Sequence, residues 1–550
     1  MKALPIGIEN FWNIITDDYY YVDKTKIIEE LLDNKGGVIL FPRPRRFGKT
    51  LFMSMLDNFF DVDKKEDNKD LFNGLYIRNT KYKDIQNTYP VINLSFKNLK
   101  QSTLDEVVCQ YKILLAKLFE DKRYVLECLS DEEKVTYSNY LKKISDIEEL
   151  KNSLLFLSNC LYKYHKKQVI ILIDEYDVPI QKGYLEGFYD EIIDFMRSLL
   201  SSTLKTNNSL KLGVLTGVLK VSKESIFSDL NNLKVYSIMD NSYEEYFGFT
   251  ESETKELLEY YGLSLTHEVK DMYNGYDFGG KAIYNPWSIL NYAERKKLDT
   301  YWLNTSGNDL IKDLLLKTNG ENKVLIEKLV LGESLDFTYN DKITYQDFDD
   351  YDNLNTVLNI MFSSGYLTMD KKEYDIVGNL NTYVKIPNNE VKSLIISIMS
   401  KLDVKTESIY NDVNIKKFVQ VLVTDNRKEL EKILNKMFMT LSFMDSQEYF
   451  YHAYTLGIFK TMLDSKIYVI KSNREAGSGR FDVMIRKVDN SIGFIIEFKL
   501  AKNEEEMENK AVAALNQMKE KEYYKELVLD GIKDIKEMAM VFSGKKVIVR

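Results

Sequence analysis

Two sets of side chains in this sequence have the types and spacing to handle phosphate. The first lies in "VILFPRPRRFGKTL" (38–51) and "VIILIDEYD" (169–177). Gly48-Lys49-Thr50 closes a stretch of the form GxxxxGK[ST] in which Arg43 stands at the first glycine position. In such a stretch the glycine lets backbone amides approach an oxygen, the lysine reaches β- and γ-phosphates, and the threonine hydroxyl is placed on Mg2+. Arg45, Arg46, Phe47 and Leu51 complete the segment expected to line a nucleotide. Pro44 biases Arg43 toward extended backbone, so the loop should turn differently from a glycine-rich one. Asp174 ends an apolar run and suits Mg2+ held through water, while Glu175 suits orienting or deprotonating an attacking water. Thr216 is placed either to sense a γ-phosphate or merely to cap its strand, and Lys220 and Lys223 just beyond are further phosphate candidates. A solvated basic turn is the competing reading of the GKT triplet alone. An acid-tipped strand downstream, in the expected order, argues against it.

The second set lies in "GRFDVMIRKVDNSIGFIIEFKL" (479–500). Both halves alternate apolar and polar residues, the signature of half-buried strands. A two-residue turn at Asp489-Asn490 makes opposed positions sum to 979, which sets Asp482 across from Glu497. Carboxylates opposed on one face repel unless a cation lies between them. Lys499, two residues on, shares that face. Asp…Glu-x-Lys on a hairpin is what metal-assisted phosphodiester hydrolysis requires, with Asp482 and Glu497 on Mg2+ and Lys499 steadying water or developing charge. A surface strand bearing a Glu–Lys pair beside a lone aspartate is the alternative on spacing alone.

Elements that could position these groups are readable around them. Apolar strand candidates at 37–41, 90–96, 168–173, 209–217 and 233–239 alternate with amphipathic stretches such as 104–119 and 184–204. This pattern predicts a parallel sheet covered on both faces. From residue 249 to about 330 the sequence reads mostly helical, opened by "TESE", where Thr250 and Glu253 predict a capping box. From about 336 a mixed region follows, ending in a hairpin and a long charged helix. The expected organisation is residues 1–245, 246–335 (a helical lid or winged-helix-like region) and 336–550, with the last holding a compact core at about 440–530.

Composition narrows the classes. A chain of 550 residues with 44% hydrophobic and 29% charged residues is that of a globular protein of several domains. No apolar run is long enough to cross a bilayer, so no membrane role is expected. The start "MKALPIGIEN" lacks a signal-peptide core. Three cysteines, an odd number in unrelated contexts, suit a reducing cytoplasm, and three scattered histidines make no zinc pattern with them. With 75 basic against 84 acidic residues, the net charge of −9 excludes coating nucleic acid by bulk charge, so a local basic surface would be required.

The stretches "YYYVDKT" (19–25), "FPRPRRFGKTL" (41–51), "ILIDEYDVPI" (171–180), "LTGVLKVSKESIFSDLNNL" (215–233) and "YNGYDFGGKAIYNPWSILNY" (273–292) together resemble the prokaryotic AAA-ATPase-like family. That group is similar to P-loop ATPases of the additional-strand clade, and arginines in the loop are its own pattern. The resemblance runs over about residues 5–305 and implies ATP with Mg2+, phosphate gripped by Lys49, and a helical lid, where Trp287 and Trp302 read as core anchors before base-stacking platforms. An arginine finger, if one exists, has Arg197 among several candidates.

Farther on, "EYFYHAYTLGIFKTM" (448–462), "VIKSNREAGSGRFDVMI" (469–485), "IIEFKL" (495–500) and "AALNQMKEKEYY" (513–524) are similar to the PD-(D/E)XK nuclease superfamily. That resemblance implies an α/β fold, catalytic positions at Asp482, Glu497 and Lys499, an extra metal ligand in Glu448, and a recurrent polar position at Gln517. His452 and Tyr451 share the Glu448 helix and read as packing. "NREAGSGR" (473–480) reads as a loop able to approach a nucleic-acid backbone, or as a turn only. The expected function is an ATPase-like module coupled to a metal-dependent nuclease acting on DNA or RNA in the cytoplasm, with homo-oligomerisation left open. The alternatives are an ATP-dependent switch or scaffold whose nuclease-like domain binds without cutting, and a plain NTPase acting on protein partners.

Overall fold

A computed structural model describes residues 1–550 apart from 35–36, 206, 220–231, 303–310, 312–313, 316–319, 331, 341–346, 348–352, 375–379, 407–411, 440–447, 464–466 and 477–478. The chain divides into two compact units. One holds Met1–Leu298 with Asp336–Pro387, and the other holds Asp299–Leu335 with Asn388–Arg550.

The first unit is built on five parallel strands, β1 (Val38–Pro42), β2 (Val91–Ser95), β3 (Val169–Asp174), β4 (Leu210–Gly217) and β5 (Leu233–Val235), in the order β2-β3-β4-β1-β5. Every residue of β1 and β3 is buried, as continuous apolar runs between two helical layers require. Register sets Phe41 beside Thr216, Pro42 beside Gly217, and Ser95 beside Asp174. The phosphate-loop candidate, the acid pair and Thr216 therefore all emerge at the carboxyl ends of adjacent parallel strands, where open α/β sheets bind ligands.

Helix Leu104–Asp121 matches its expected stretch, but 184–204 does not form one helix. It splits into Val178–Glu186 and Tyr189–Leu204, because Gly187 takes a left-handed φ of 83° and closes the first. The region after residue 249 opens with the expected Thr250–Glu253 capping box on helix Glu251–Tyr260. It also contains three short strands, β6 (Phe249–Thr250), β7 (Tyr276–Phe278) and β8 (Lys281–Tyr284), which pair antiparallel in the order β6-β8-β7 beside helix Pro286–Arg295.

Strands β9 (Leu335–Phe337), β10 (Thr368–Tyr374) and β11 (Leu380–Lys385) form a further small sheet. Residues 336–387 pack within the first unit: the Asp277 N–H donates to Thr368 Oγ1 at 2.8 Å, and Gly275 lies against Pro387. The unit boundary thus cuts through the stretch 336–550 that the sequence reading treats as one region.

The second unit carries a mixed sheet of β12 (Tyr468–Ala476), β13 (Gly479–Lys487), β14 (Ile492–Leu500), β15 (Asp534–Ser543) and β16 (Lys546–Val549), in sequence order. Strands β14 and β15 run parallel, joined through helix Met507–Lys521; the other pairs are antiparallel. Residues Ile492 to Phe498 are buried on both faces, although their alternation reads as half-buried. The helix Met507–Lys521 packs its Ala511, Ala514 and Met518 onto the sheet, while His452 of helix Glu448–Met462 meets Phe498 with ring centres 5.2 Å apart. Residues 473–476 and 479–480, expected in a loop, instead continue β12 and β13, with Arg474 beside Phe481 and Ala476 beside Gly479.

Among the described residues no helix is long and apolar enough to cross a membrane. All three cysteines are free.

Candidate functional site

The front site is assembled by one loop and two strand ends. Gly48, at φ 85°, is the left-handed N-cap of helix Lys49–Phe60. Nothing lies within 4 Å of where its Cβ would stand, so the backbone there is open to a ligand. Lys49 is 6% exposed, and its ammonium donates to the carbonyls of Arg43 and Pro44, each at 3.0 Å. Burial pulls its pKa below the ordinary lysine value, opposed by the Glu175, Asp174 and Asp177 carboxylates. Asp174, 2% exposed, accepts from the Thr50 hydroxyl at 2.8 Å on one oxygen and from the Thr216 hydroxyl at 2.5 Å on the other. Two hydroxyls on two different elements thus converge on one carboxylate.

Glu175 follows in a left-handed backbone conformation (φ 53°), uncommon for a residue with a Cβ and the kind of strain that collects at working sites. Burial raises its pKa, with Lys49 acting the other way. Tyr176 and Asp177 face inward. Asp177 accepts from the Val218 and Leu219 amides at 2.9 and 3.1 Å, and the Tyr176 hydroxyl donates to the Leu219 carbonyl at 2.7 Å. A Cβ at Gly217 would come within 2.6 Å of Tyr176, so only glycine lets this turn close onto the end of β4. Lys220 and Lys223 lie outside the described residues.

Arg43, in place of the first glycine, turns away from the phosphate side. It is fully buried; its guanidinium donates to the carbonyls of Pro42 (3.0 Å), Tyr236 (2.6 Å) and Tyr243 (3.4 Å), and lies 4.9 Å from the Phe247 ring centre. Burial lowers its pKa to about 9, so it stays protonated at neutral pH. Arg45 is half-buried and donates to Gln181 at 3.4 Å. Phe47 is buried against Tyr276 and Phe278, whereas Leu51 is half-buried on the first turn of the helix. Arg46 rests on Trp287, which is only half-buried; Trp302, at 3% exposure, is the core anchor expected of both. Arg197 sits half-buried on helix Tyr189–Leu204.

The rear site grows from the β13–β14 register. Val483 pairs with Ile496 and Arg486 with Gly493, so paired positions sum to 979 as the sequence implies. The connection, however, spans 488–491: the Asn490 N–H donates to the Lys487 carbonyl at 3.0 Å, and Asn490 takes φ 57°, a conformation asparagine tolerates. The paired register ends at Val483 and Ile496; Asp482, one position beyond, accepts on its carboxylate from the N–H of Phe498, next to Glu497 in the chain, at 2.8 Å.

Glu497 is 2% exposed; one of its oxygens accepts from the Lys499 ammonium at 3.0 Å and from the Gln517 side-chain amide at 2.5 Å. The same Gln517 amide donates to the Tyr523 hydroxyl at 3.2 Å. Burial raises the Tyr523 phenol, and the Glu497 and Asp482 carboxylates add to that shift. Tyr523 is the residue the sequence reading missed. Its only signal is a tyrosine six positions after Gln517, just past a helix end that Glu522 closes in the left-handed conformation. Glu448 opens helix Glu448–Met462, but its side chain lies outside the described residues. Tyr451 stacks on Phe542 and His452 packs on Phe498.

Among the described residues no group of three His, Cys, Asp or Glu side chains gathers for a metal. What each site offers is oxygen only: a hydroxyl and a carboxylate in front (Thr50, Asp174), two carboxylates behind (Asp482, Glu497). Such hard oxygen donors suit Mg2+.

Comparison with known proteins agrees with both halves. Residues 5–227 match the model of the predicted AAA-ATPase family, and residues 446–550 match that of the PD-(D/E)XK nuclease superfamily. Over 532 residues the chain is 26% identical to an uncharacterized protein in the vnfD 5′ region of Azotobacter chroococcum mcd 1, covering 95% of this chain and 93% of that relative. Families of these two kinds use nucleotide and divalent metal. The chain joins an AAA-ATPase-like domain to a PD-(D/E)XK nuclease superfamily domain.

Proposed function

We propose that the protein binds and hydrolyses ATP in front and cuts DNA or RNA behind, with the nucleotide state governing the cutting, in the cytoplasm. The observation that carries the second half is the buried Glu497 held by Lys499 and Gln517, with Asp482 of the adjacent strand bonded to the Phe498 N–H beside it.

In this reading Arg45, Arg46, Phe47, Gly48, Lys49, Thr50 and Leu51 surround the nucleotide phosphates. Lys49 exchanges its two loop carbonyls for phosphate oxygens, a shift that needs no new desolvation because its ammonium is already buried. Thr50 and Asp174 hold Mg2+ beside it. Glu175 orients the attacking water and takes its proton, while the Thr216 hydroxyl registers the γ-phosphate through Asp174. In the rear site Asp482, Glu497 and Glu448 are the metal ligands. Lys499 steadies the charge that develops on phosphate, and Gln517 fixes the carboxylate of Glu497 so that its orientation does not depend on the substrate. Magnesium, when bound at either set, lends positive charge to phosphate oxygens and makes water more acidic.

Full-length protein incubated with MgCl2 and either plasmid or single-stranded DNA or RNA tests the proposal. Cleavage is expected, and Lys499→Ala should reduce it by at least about 100-fold with nucleotide binding unchanged. Equal cleavage by that variant would overturn the assignment. Nucleotide binding without any cleavage would favour a switch that binds nucleic acid without cutting, a reading that the net charge of −9 supports.

A further inference from the structure

The guanidinium of Arg46 lies 4.4 Å from the centre of the Trp287 ring. Arg46 itself holds a left-handed backbone, φ 69°, which turns its side chain out of the path that leads into the helix at Gly48. The next residue, Phe47, is pinned edge-on to Tyr276 at 5.0 Å and against Phe278 at 5.2 Å. Two consecutive loop residues are therefore seated on one small layer, β7 and helix Pro286–Arg295. The backbone that carries the indole is fixed: the Trp287 main-chain N–H donates to the Asn285 side chain at 2.9 Å, and the residues after it, Ser288 and Ile289, are buried.

A guanidinium seated over an aromatic ring makes its contact through the cation and leaves N–H donors for the fork that suits phosphate. Among the described residues none of those Arg46 donors makes a hydrogen bond. Lys97, ion-paired to Glu9 at 2.8 Å, is held above its usual pKa first by that bond, then favoured by Glu175 and opposed by Arg46. Arg46 and Glu175 are thus both near enough to Lys97 to act on its charge.

We propose that Trp287 is a positioning residue of the nucleotide site: it holds Arg46 as a ready fork for the nucleotide phosphates. The inference rests on reading Gly48-Lys49-Thr50 as that site.

Calorimetric titration of full-length protein with MgATP tests it. Arg46→Ala is expected to weaken binding about 10-fold and Trp287→Ala about 5-fold, while the double variant binds no worse than Arg46→Ala alone. Trp287→Phe, which keeps an aromatic face, should stay within about 2-fold of the native protein, and Arg46→Lys, which keeps charge but loses the planar stack, should match Arg46→Ala. Multiplying effects in the double variant, or native-like binding by both Trp287→Ala and Arg46→Lys, would overturn the proposal. Should Trp287→Ala fail to fold, the Trp287→Phe and Arg46→Lys pair still decides it. Native-like binding by Lys49→Ala would instead sink the nucleotide-site reading beneath it.

Discussion

The two sites solve opposite electrostatic problems. In front, the buried charge that marks the site is positive: Lys49 is satisfied by neutral loop carbonyls, with carboxylates nearby but not bonded to it. Behind, it is negative: Glu497 is buried and bonded directly to an ammonium and an amide. A buried cation resting on carbonyls gains most when an anion arrives, whereas a buried carboxylate facing another gains most from a cation. On the proposed reading the front takes phosphate on Lys49 with Mg2+ beside it on Asp174, whereas the rear depends first on a metal between its carboxylates.

The comparison is sharpened by substitutions that should touch one site and spare the other. The largest effect is expected from Lys49→Ala, which should weaken ATP binding by at least about 100-fold, measured by calorimetry, while Mg2+ binding at the rear stays native. Next comes Arg43→Gly, which restores the glycine of the familiar pattern. If loop shape were set by glycine freedom, binding would improve. Because Arg43 satisfies the carbonyls of Tyr236 and Tyr243, the variant should instead lose about 3 kcal/mol of stability, seen as a lower thermal midpoint of the first unit. The smallest effect is expected at Gln517→Ala: cleavage and Mg2+ affinity should fall about 10-fold, since the amide orients Glu497 without replacing it as ligand. An unchanged Mg2+ titration in that variant would break the contrast, leaving Glu497 held by Lys499 alone.

Much of the architecture was legible because it is local. The strand runs, the Thr250–Glu253 box and the 979 register depend on residues within a few positions of one another, and alternation fixes which side chains share a face. The register survived even though the turn differs from the expected two residues, since four residues with a left-handed Asn490 keep the same pairing. Other features depend on partners that no spacing reveals. Arg43 reads as a loop cation until Tyr236 and Tyr243, some two hundred positions away, are seen to take its donors. Trp287 reads as a core residue until Arg46 is found on it. The burial of Glu497 was hidden because alternation reports one covered face, and here helices Met507–Lys521 and Glu448–Met462 cover both. Strand β12 was missed where Gly, Ser and Asn at 472–479 mimic a turn.

The seat of β1 has a consequence for biosynthesis. Both of its hydrogen-bonded neighbours, β4 and β5, and both distant carbonyls that hold Arg43 come from residues 210–243. As the polypeptide leaves the ribosome, its earliest chemically interesting segment must wait, unfinished, for some two hundred further residues before it acquires a wall on either side. A message truncated before Tyr236 therefore yields a product in which Arg43 lacks the Tyr236 and Tyr243 carbonyls that seat its loop.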